Sequence, residues 1–328
     1  MADIVFLGER AETAVEVTID PACLTIRRHN FANEITFHAP GLRRYKTAEY
    51  AAHDAAEFVS ISVTGTACAL SCEHCKMQVL RGMTDLRRFD GSIFDLCAEL
   101  AERGAKGVLI SGGSDAKGRV PLLAHIPDLI RVRHELGLKI RVHPGLPDEE
   151  TCAGLGEVEI DGAMVDIIGH EDTIRDVYHL EATPASYEAV LERLERHAVP
   201  TVPHIILGLH YGRMLGEWQA LDMIARHPPK LLVLVVLMPL TGTPMAISEP
   251  PSLAEIGGFF ETARKTMPDI PVMLGCARPM GLMKRDIDRL AIDAGLNGIA
   301  YPAEGIVEYA HQQGLQPNFI NACCGVTW

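Results

Sequence analysis

From residue 58 onward the hydrophobic positions follow two alternating rhythms. Short apolar runs rich in Val, Ile and Leu occur at 58–63, 106–110, 139–142, 164–168, 202–207, 231–238, 271–274 and 297–300, and longer amphipathic segments separate them. Such alternation predicts repeated βα units with parallel strands. Eight of them predict an α/β fold, a TIM-type (β/α)8 barrel. The helical segments carry matching punctuation. Ser92 is placed to cap a helix with the stripe Ile93, Leu96, Cys97 and Leu100, and Gly104 follows as its stop. Ser252 and Glu255 fit a capping box, and Pro184 fits the first turn of a helix bearing Leu191 and Leu194. Residues 1–57 differ, with mixed charge and only weak alternation around Thr13 to Ile19. They are expected to form an N-terminal extension, a short antiparallel piece laid against the barrel, with 58–328 forming the barrel and a C-terminal cysteine tail.

The length of 328 residues fits one barrel of about 250 residues with extensions. A formal net charge of −13 argues against nucleic acid as a partner, because phosphate binding needs basic surface. The apolar run at 231–238 stops at Pro239, far short of the ~20 residues of a membrane-spanning helix, so no membrane association is expected. Nine cysteines is an odd number, and the first residues lack the basic start and long apolar core of a secretory signal. The thiols therefore read as ligands rather than disulfides, in a reducing cytoplasm. Lys76, Arg81, Arg87 and Arg88 either dock an acidic electron donor or form a solvated helix face.

Cys68, Cys72 and Cys75 stand in one short loop directly after the first apolar run. Three thiolates are one fewer than a closed tetrahedral site needs. A four-iron cube held by three protein ligands keeps one iron open for an exogenous chelate. The competing reading is a zinc knuckle or a set of redox thiols, but no second ligand pair follows at short spacing. In a βα barrel the chemistry sits at the carboxyl ends of the strands. Those ends supply Ser111, Gly112, Gly113 and Ser114, then His143, Asp166, His170, His204 and His210. The two glycines either let backbone approach a ligand closely or form a plain tight turn. Asp166, inside a strand of Val and Ile, must find a partner, within the protein or on a ligand. Each histidine alone reads as a hydrogen-bonded structural residue, whereas several lining one mouth would make a site. Cys276 ends the seventh run and Cys323-Cys324 lie near the C-terminus. Neighbouring cysteines are sterically awkward as a disulfide. With Cys276 they either bind an auxiliary iron-sulfur cluster, Cys23 being a candidate fourth ligand, or fill space. Cys97 and Cys152 are assigned to packing.

The Cys-x3-Cys-x2-Cys loop after a first strand resembles the radical S-adenosylmethionine (SAM) superfamily. That resemblance implies a 4Fe-4S cluster on Cys68, Cys72 and Cys75, with the amino and carboxylate groups of SAM on its fourth iron. It places His74, before the third cysteine, near the adenine, and likens Ser111 to Ser114 to the Gly-Gly-Glu turn that contacts the SAM methionine, with Ser114 in place of the acid. Asp166 would face the SAM ribose. The phrases at 239–244, 275–279 and 297–302 resemble the biotin-synthase-like branch, although His143 and His204 stand near strands where biotin synthase carries cysteines. With the runs at 60–65 and 111–122, they resemble more closely the split, two-subunit lipoyl synthase. This implies reductive cleavage of SAM to a 5′-deoxyadenosyl radical, hydrogen removal from a protein-bound octanoyl chain, and sulfur insertion from an auxiliary cluster on Cys276, Cys323 and Cys324. The implied partners are an octanoylated lipoyl-carrier protein, a companion radical SAM subunit, and an electron donor such as ferredoxin or flavodoxin. Another radical SAM reaction, a metal-binding module without activity, and an inactive partner subunit are the alternatives.

Overall fold

The computed structural model describes residues 17–39, 45–50 and 57–326. All eight expected strands are present. They are β2 (Phe58–Ser62), β4 (Gly107–Ser111), β5 (Lys139–Val142), β6 (Gly162–Asp166), β7 (Thr201–Leu207), β8 (Leu232–Val236), β9 (Val272–Leu274) and β10 (Gly298–Ala300). Three further strands extend them: β1 (Glu34–His38), β3 (Thr84–Asp85) and β11 (Gln316–Ile320). The sheet runs β11-β1-β10-β9-β8-β7-β6-β5-β4-β2-β3, and its ladders are parallel. The order has two ends among the described residues, so the sheet is a curled, open barrel. β10 pairs with β1, where a hydrogen-bonded ring would pair it with β2.

The helices between the strands follow their punctuation. On α2 (Ile93–Glu102) the Ser92 side chain accepts from the Asp95 N–H, and Asp95 accepts from the Ser92 N–H. The same reciprocal box opens α8 (Leu253–Thr266) at Ser252 and Glu255, and Pro184 starts α6 (Pro184–Arg196). Each cap satisfies donors that a helix start would otherwise leave unpaired. Cys97 on α2 and Cys152 on α4 (Glu149–Val158) are fully buried packing residues.

The N-terminal extension departs from expectation. Thr13 to Glu16 lie outside the described residues. Downstream come α1 (Ala22–Asn30) and β1, and β1 is parallel, inserted between β10 and β11. Its alternate residues Ile35 and Phe37 are fully buried, which anchors the strand within the barrel sheet. The C-terminal tail also differs from a flexible appendage. After β11 it turns into the curl, where Ala322, Cys323, Cys324 and Val326 pack with Phe58, Leu109, Met164, Val202, Val233 and Met273. These barrel residues come from six strands, so the tail fills the inside of the sheet. The separate, larger core lies between sheet and helices. Among the described residues no helix is long and apolar enough to cross a membrane.

Candidate functional site

The cysteine loop is held on three sides. The Ala69 N–H donates to Ser114 O at 2.8 Å, the Glu73 N–H to Val177 O at 2.9 Å, and the Ser62 hydroxyl to Gly65 O at 2.7 Å. A carboxylate contact adds to this, with Glu73 Oε1 2.9 Å from His179 Nε2 and 2.8 Å from Lys76 Nζ. Hydrogen bonds within the loop, from Cys75 N and Lys76 N to Cys72 O, turn the chain so that the three thiols face one cleft. A hydrogen bond between the Cys72 and Cys75 sulfurs lowers the Cys75 thiol and raises Cys72, with burial adding to the rise. A lowered thiol is the readier metal ligand.

The turn after β4 closes on this loop. A Cβ at Gly113 would lie 1.9 Å from Ala67 O and 2.6 Å from Cys68 Cβ. The glycine is therefore required for loop-on-loop packing, a physical reason different from the close approach to a ligand expected of it. Gly112 is less tightly packed, a Cβ there lying 3.0 Å from the Thr64 hydroxyl. The Gly113 N–H donates to Thr64 Oγ1 at 2.6 Å, and the Ser114 N–H to Cys68 Sγ at 3.4 Å. That contact ties the turn after β4 to the cysteine loop.

Between these loops lies a half-open cleft lined by Cys68, Cys72, His74, Cys75, Gly112, Gly113, Ser114, His143 and Asp166, with Tyr178, Leu146 and Leu180. All the residues expected at the SAM site thus meet on one face. His74 packs its ring 5.3 Å from that of Tyr178, and its buried Nδ1 has no hydrogen-bond partner among the described residues. Asp166 is met from both sides, by the Tyr178 hydroxyl at 3.4 Å from Oδ2 and by His143 Nε2 at 3.9 Å from Oδ1. Tyr178 was not expected at the site. It ends α5 (Glu171–Tyr178), and an aromatic ring within a helix stripe reads as core.

The other histidines divide. His204 is buried on β7 beside His143, with ring centroids 5.7 Å apart, and desolvation lowers its pKa to about 4. His170 caps α5 by accepting from the Asp172 N–H, and His210 sits 3.3 Å from Thr173 Oγ1. Both are structural and lie apart from the cleft.

The remaining cysteines also separate. Cys323 and Cys324 are buried in the interior with Cys276 packed against the same cluster. The hydrogen bond from Cys324 lowers Cys323, while Cys324 is raised by that bond, by burial and by the Cys276 sulfur nearby. Arg141, buried on β5, donates from Nη2 to Gly325 O at 2.6 Å and lies beside both tail thiols. Its signal in the sequence was a cation inside the apolar strand Lys139–Val142. Cys23 is excluded from this group, because it is buried in the outer core beside Lys265 and Arg264 of α8. The Arg278 guanidinium, fully buried, pairs with Asp288 at 2.6 Å and donates to Gly275 O at 2.8 Å and Tyr301 O at 2.9 Å. It fixes the chain on either side of Cys276. The basic residues after the loop do not form a helix face. Lys76 lies in the turn of the cysteine loop, Arg81 on a short 3-10 helix (Gln78–Gly82), and Arg87 and Arg88 on a second one (Leu86–Arg88), each 3.4 Å from Asp85.

No family model matches the chain. It is 28% identical over 250 residues to a biotin synthase from Halorhodospira halophila, covering 73% of each protein. Its fold is like that of methylornithine synthase, with a TM-score of 0.58, 15% identity, and coverage of 90% of this chain and 87% of that one. It is also like SuiB from Streptococcus suis, solved bound to S-adenosylmethionine, with a TM-score of 0.50, 13% identity, and coverage of 69% and 50%. The two solved structures show the fold, a curled parallel sheet with the cysteine loop after its first barrel strand, and the biotin synthase is the relative found by sequence.

Proposed function

We propose that the chain is a radical SAM enzyme that inserts sulfur into an unactivated C–H bond of a protein-bound octanoyl group, as one subunit of a two-component lipoyl synthase. The observation that carries this reading is the burial of Cys323 and Cys324 inside the sheet, with Cys276 packed against them. His143, directly after β5, lines the cleft, and Arg141 on β5 reaches the tail. A hydrogen-abstracting site and a sulfur source would then share one barrel interior.

The donor set at the cleft fits a cluster. Three thiols face it, the Cys75 thiol lowered by its neighbour Cys72, with the Ser114 N–H directed at Cys68. A 4Fe-4S cluster on Cys68, Cys72 and Cys75, with SAM on its open iron, would supply one-electron cleavage of SAM. The residues of the chain would hold and orient the reactants. His74, with its free Nδ1, would meet the adenine. The backbone at Gly112, Gly113 and Ser114 would meet the methionine end, and Asp166 the ribose. Leu146, Leu180 and Val120 of the cleft would exclude water and receive an acyl chain. Cys276, Cys323 and Cys324 would hold the auxiliary cluster. An octanoylated carrier domain, a companion subunit and a ferredoxin- or flavodoxin-type donor are the proposed partners, in the cytoplasm. The likeness to a biotin synthase favours a second reading, sulfur insertion with ring closure.

The test is anaerobic incubation of reconstituted protein with an octanoylated carrier, SAM and a reductant, followed by mass spectrometry of the acyl group. A sulfur-bearing octanoyl product is expected, and changing Cys276, Cys323 and Cys324 together to Ala should halve the iron, eliminate that product and leave part of the SAM cleavage. A product without sulfur, or iron unchanged in the triple variant, would overturn the reading.

A further inference from the structure

His143 just after β5, Asp166 at the end of β6 and His204 on β7 come together from three neighbouring strands, and one nitrogen or oxygen of each lies within 4.8 Å of the others. The register explains the grouping, since Asp166 and His204 are direct partners across the β6–β7 ladder and so project to the same face. His143 follows β5 by one residue and is fixed at its backbone, its N–H donating to Ile110 O at 2.9 Å and its carbonyl accepting from the Ser111 hydroxyl at 3.1 Å.

The protonation pattern is set by neighbours. His204 Nδ1 is 2.9 Å from the carbonyl of Val202 and must donate to it, which leaves Nε2 with its lone pair free. Asp166 Oδ2 is held by the Tyr178 hydroxyl, and Oδ1 faces His143 Nε2 at 3.9 Å. That distance is too long for a hydrogen bond. It is within the span of two ligands on one ion, each bonded at about 2.0–2.2 Å. A histidine whose second nitrogen is tied to a backbone carbonyl, and a carboxylate steadied by a hydroxyl, are the usual outer supports of metal ligands.

We propose that His143, Asp166 and His204 bind one divalent first-row transition ion, zinc or ferrous iron, separate from either cluster. Two imidazoles and a carboxylate suit such ions, and three protein ligands leave a position open. Because His143 and Asp166 also line the cleft, that position faces the space where SAM and substrate would lie. It suits an anionic or thiol group of the substrate. Asp166 would give Oδ1 to the ion and leave Oδ2 for the cleft. The site does not depend on sulfur insertion, and its test does not read activity.

Cluster-loaded protein is equilibrated anaerobically with one equivalent of Zn2+, passed through a desalting column, and measured for bound zinc and for zinc K-edge absorption. One zinc per chain is expected, with a first shell of nitrogen and oxygen at about 2.0–2.1 Å and no sulfur at about 2.3 Å. His143→Ala and His204→Ala should each lower zinc retention at least tenfold, while His134→Ala, outside the group, should not. Iron retained at the cysteine loop reports that each variant is folded, and Asp166→Asn supplies a variant of nearly unchanged volume with the same expected loss. Zinc washed away from the unaltered protein, a sulfur shell, or undiminished retention in folded variants would overturn the proposal.

Discussion

The backbone N–H of Ser114 is directed at Cys68 Sγ from 3.4 Å, so the turn after β4 and the cysteine loop after β2 form one unit. Gly113 makes this possible by its lack of a side chain. Gly113→Ala would drive a methyl to 1.9 Å from Ala67 O, against backbone that cannot swing aside. Overpacking of this kind costs about 1–3 kcal/mol. The expected result is a lower denaturation midpoint and a loss of loop-bound iron, measured by denaturant titration and iron analysis. Gly258→Ala, on the exposed face of α8 where a Cβ meets nothing within 4 Å, should leave the iron unchanged.

Removing Arg278 from its buried pair with Asp288 leaves that carboxylate with Lys284, at 3.5 Å, as its remaining cation. Breaking a buried pair costs up to about 3–5 kcal/mol, and Lys284 reduces the loss. Arg278→Met should therefore destabilise the protein strongly in urea unfolding. Because the same guanidinium holds Gly275 O and Tyr301 O, cysteine alkylation should also show Cys276 more reactive in this variant under native conditions.

His38 on β1 is buried beside the tail, and desolvation lowers its pKa to about 4, with Arg141 adding a smaller push in the same direction. The unfolded chain takes up this proton near 6.5, while the folded chain resists it until about 4. Acid therefore favours unfolding, and stability should be level above pH 7 and fall as the pH drops from about 6.5 toward 4. The loss from this group is about 3 kcal/mol. His204, lowered to a similar value, adds to the slope. Urea midpoints measured between pH 4 and pH 8 should show the fall, and His38→Gln should flatten it in part.

The barrel was legible because its eight inner strands are contiguous apolar runs between helices with clear caps, as at Ser92 and Ser252. β1 and β11 were not. β11 reads Gln316–Ile320, with only Ile320 buried, and its place in the sheet comes from pairing with β1 far away in sequence. β3 has two residues and no pattern to detect. The cysteine loop was legible because its thiols are adjacent along the chain. The grouping of His143 with Asp166 and His204 depends on ladder register, and the inward fold of the tail on contacts such as Arg141 to Gly325, 184 residues apart. Local pattern carries neither.

The most direct measurement is of 5′-deoxyadenosine formed when anaerobically reconstituted protein is given SAM and a strong reductant. The unaltered protein should form it together with methionine, and the variant with Cys68, Cys72 and Cys75 all changed to Ala should form none. Equal amounts from that variant and from the unaltered protein would contradict radical SAM chemistry at this cleft.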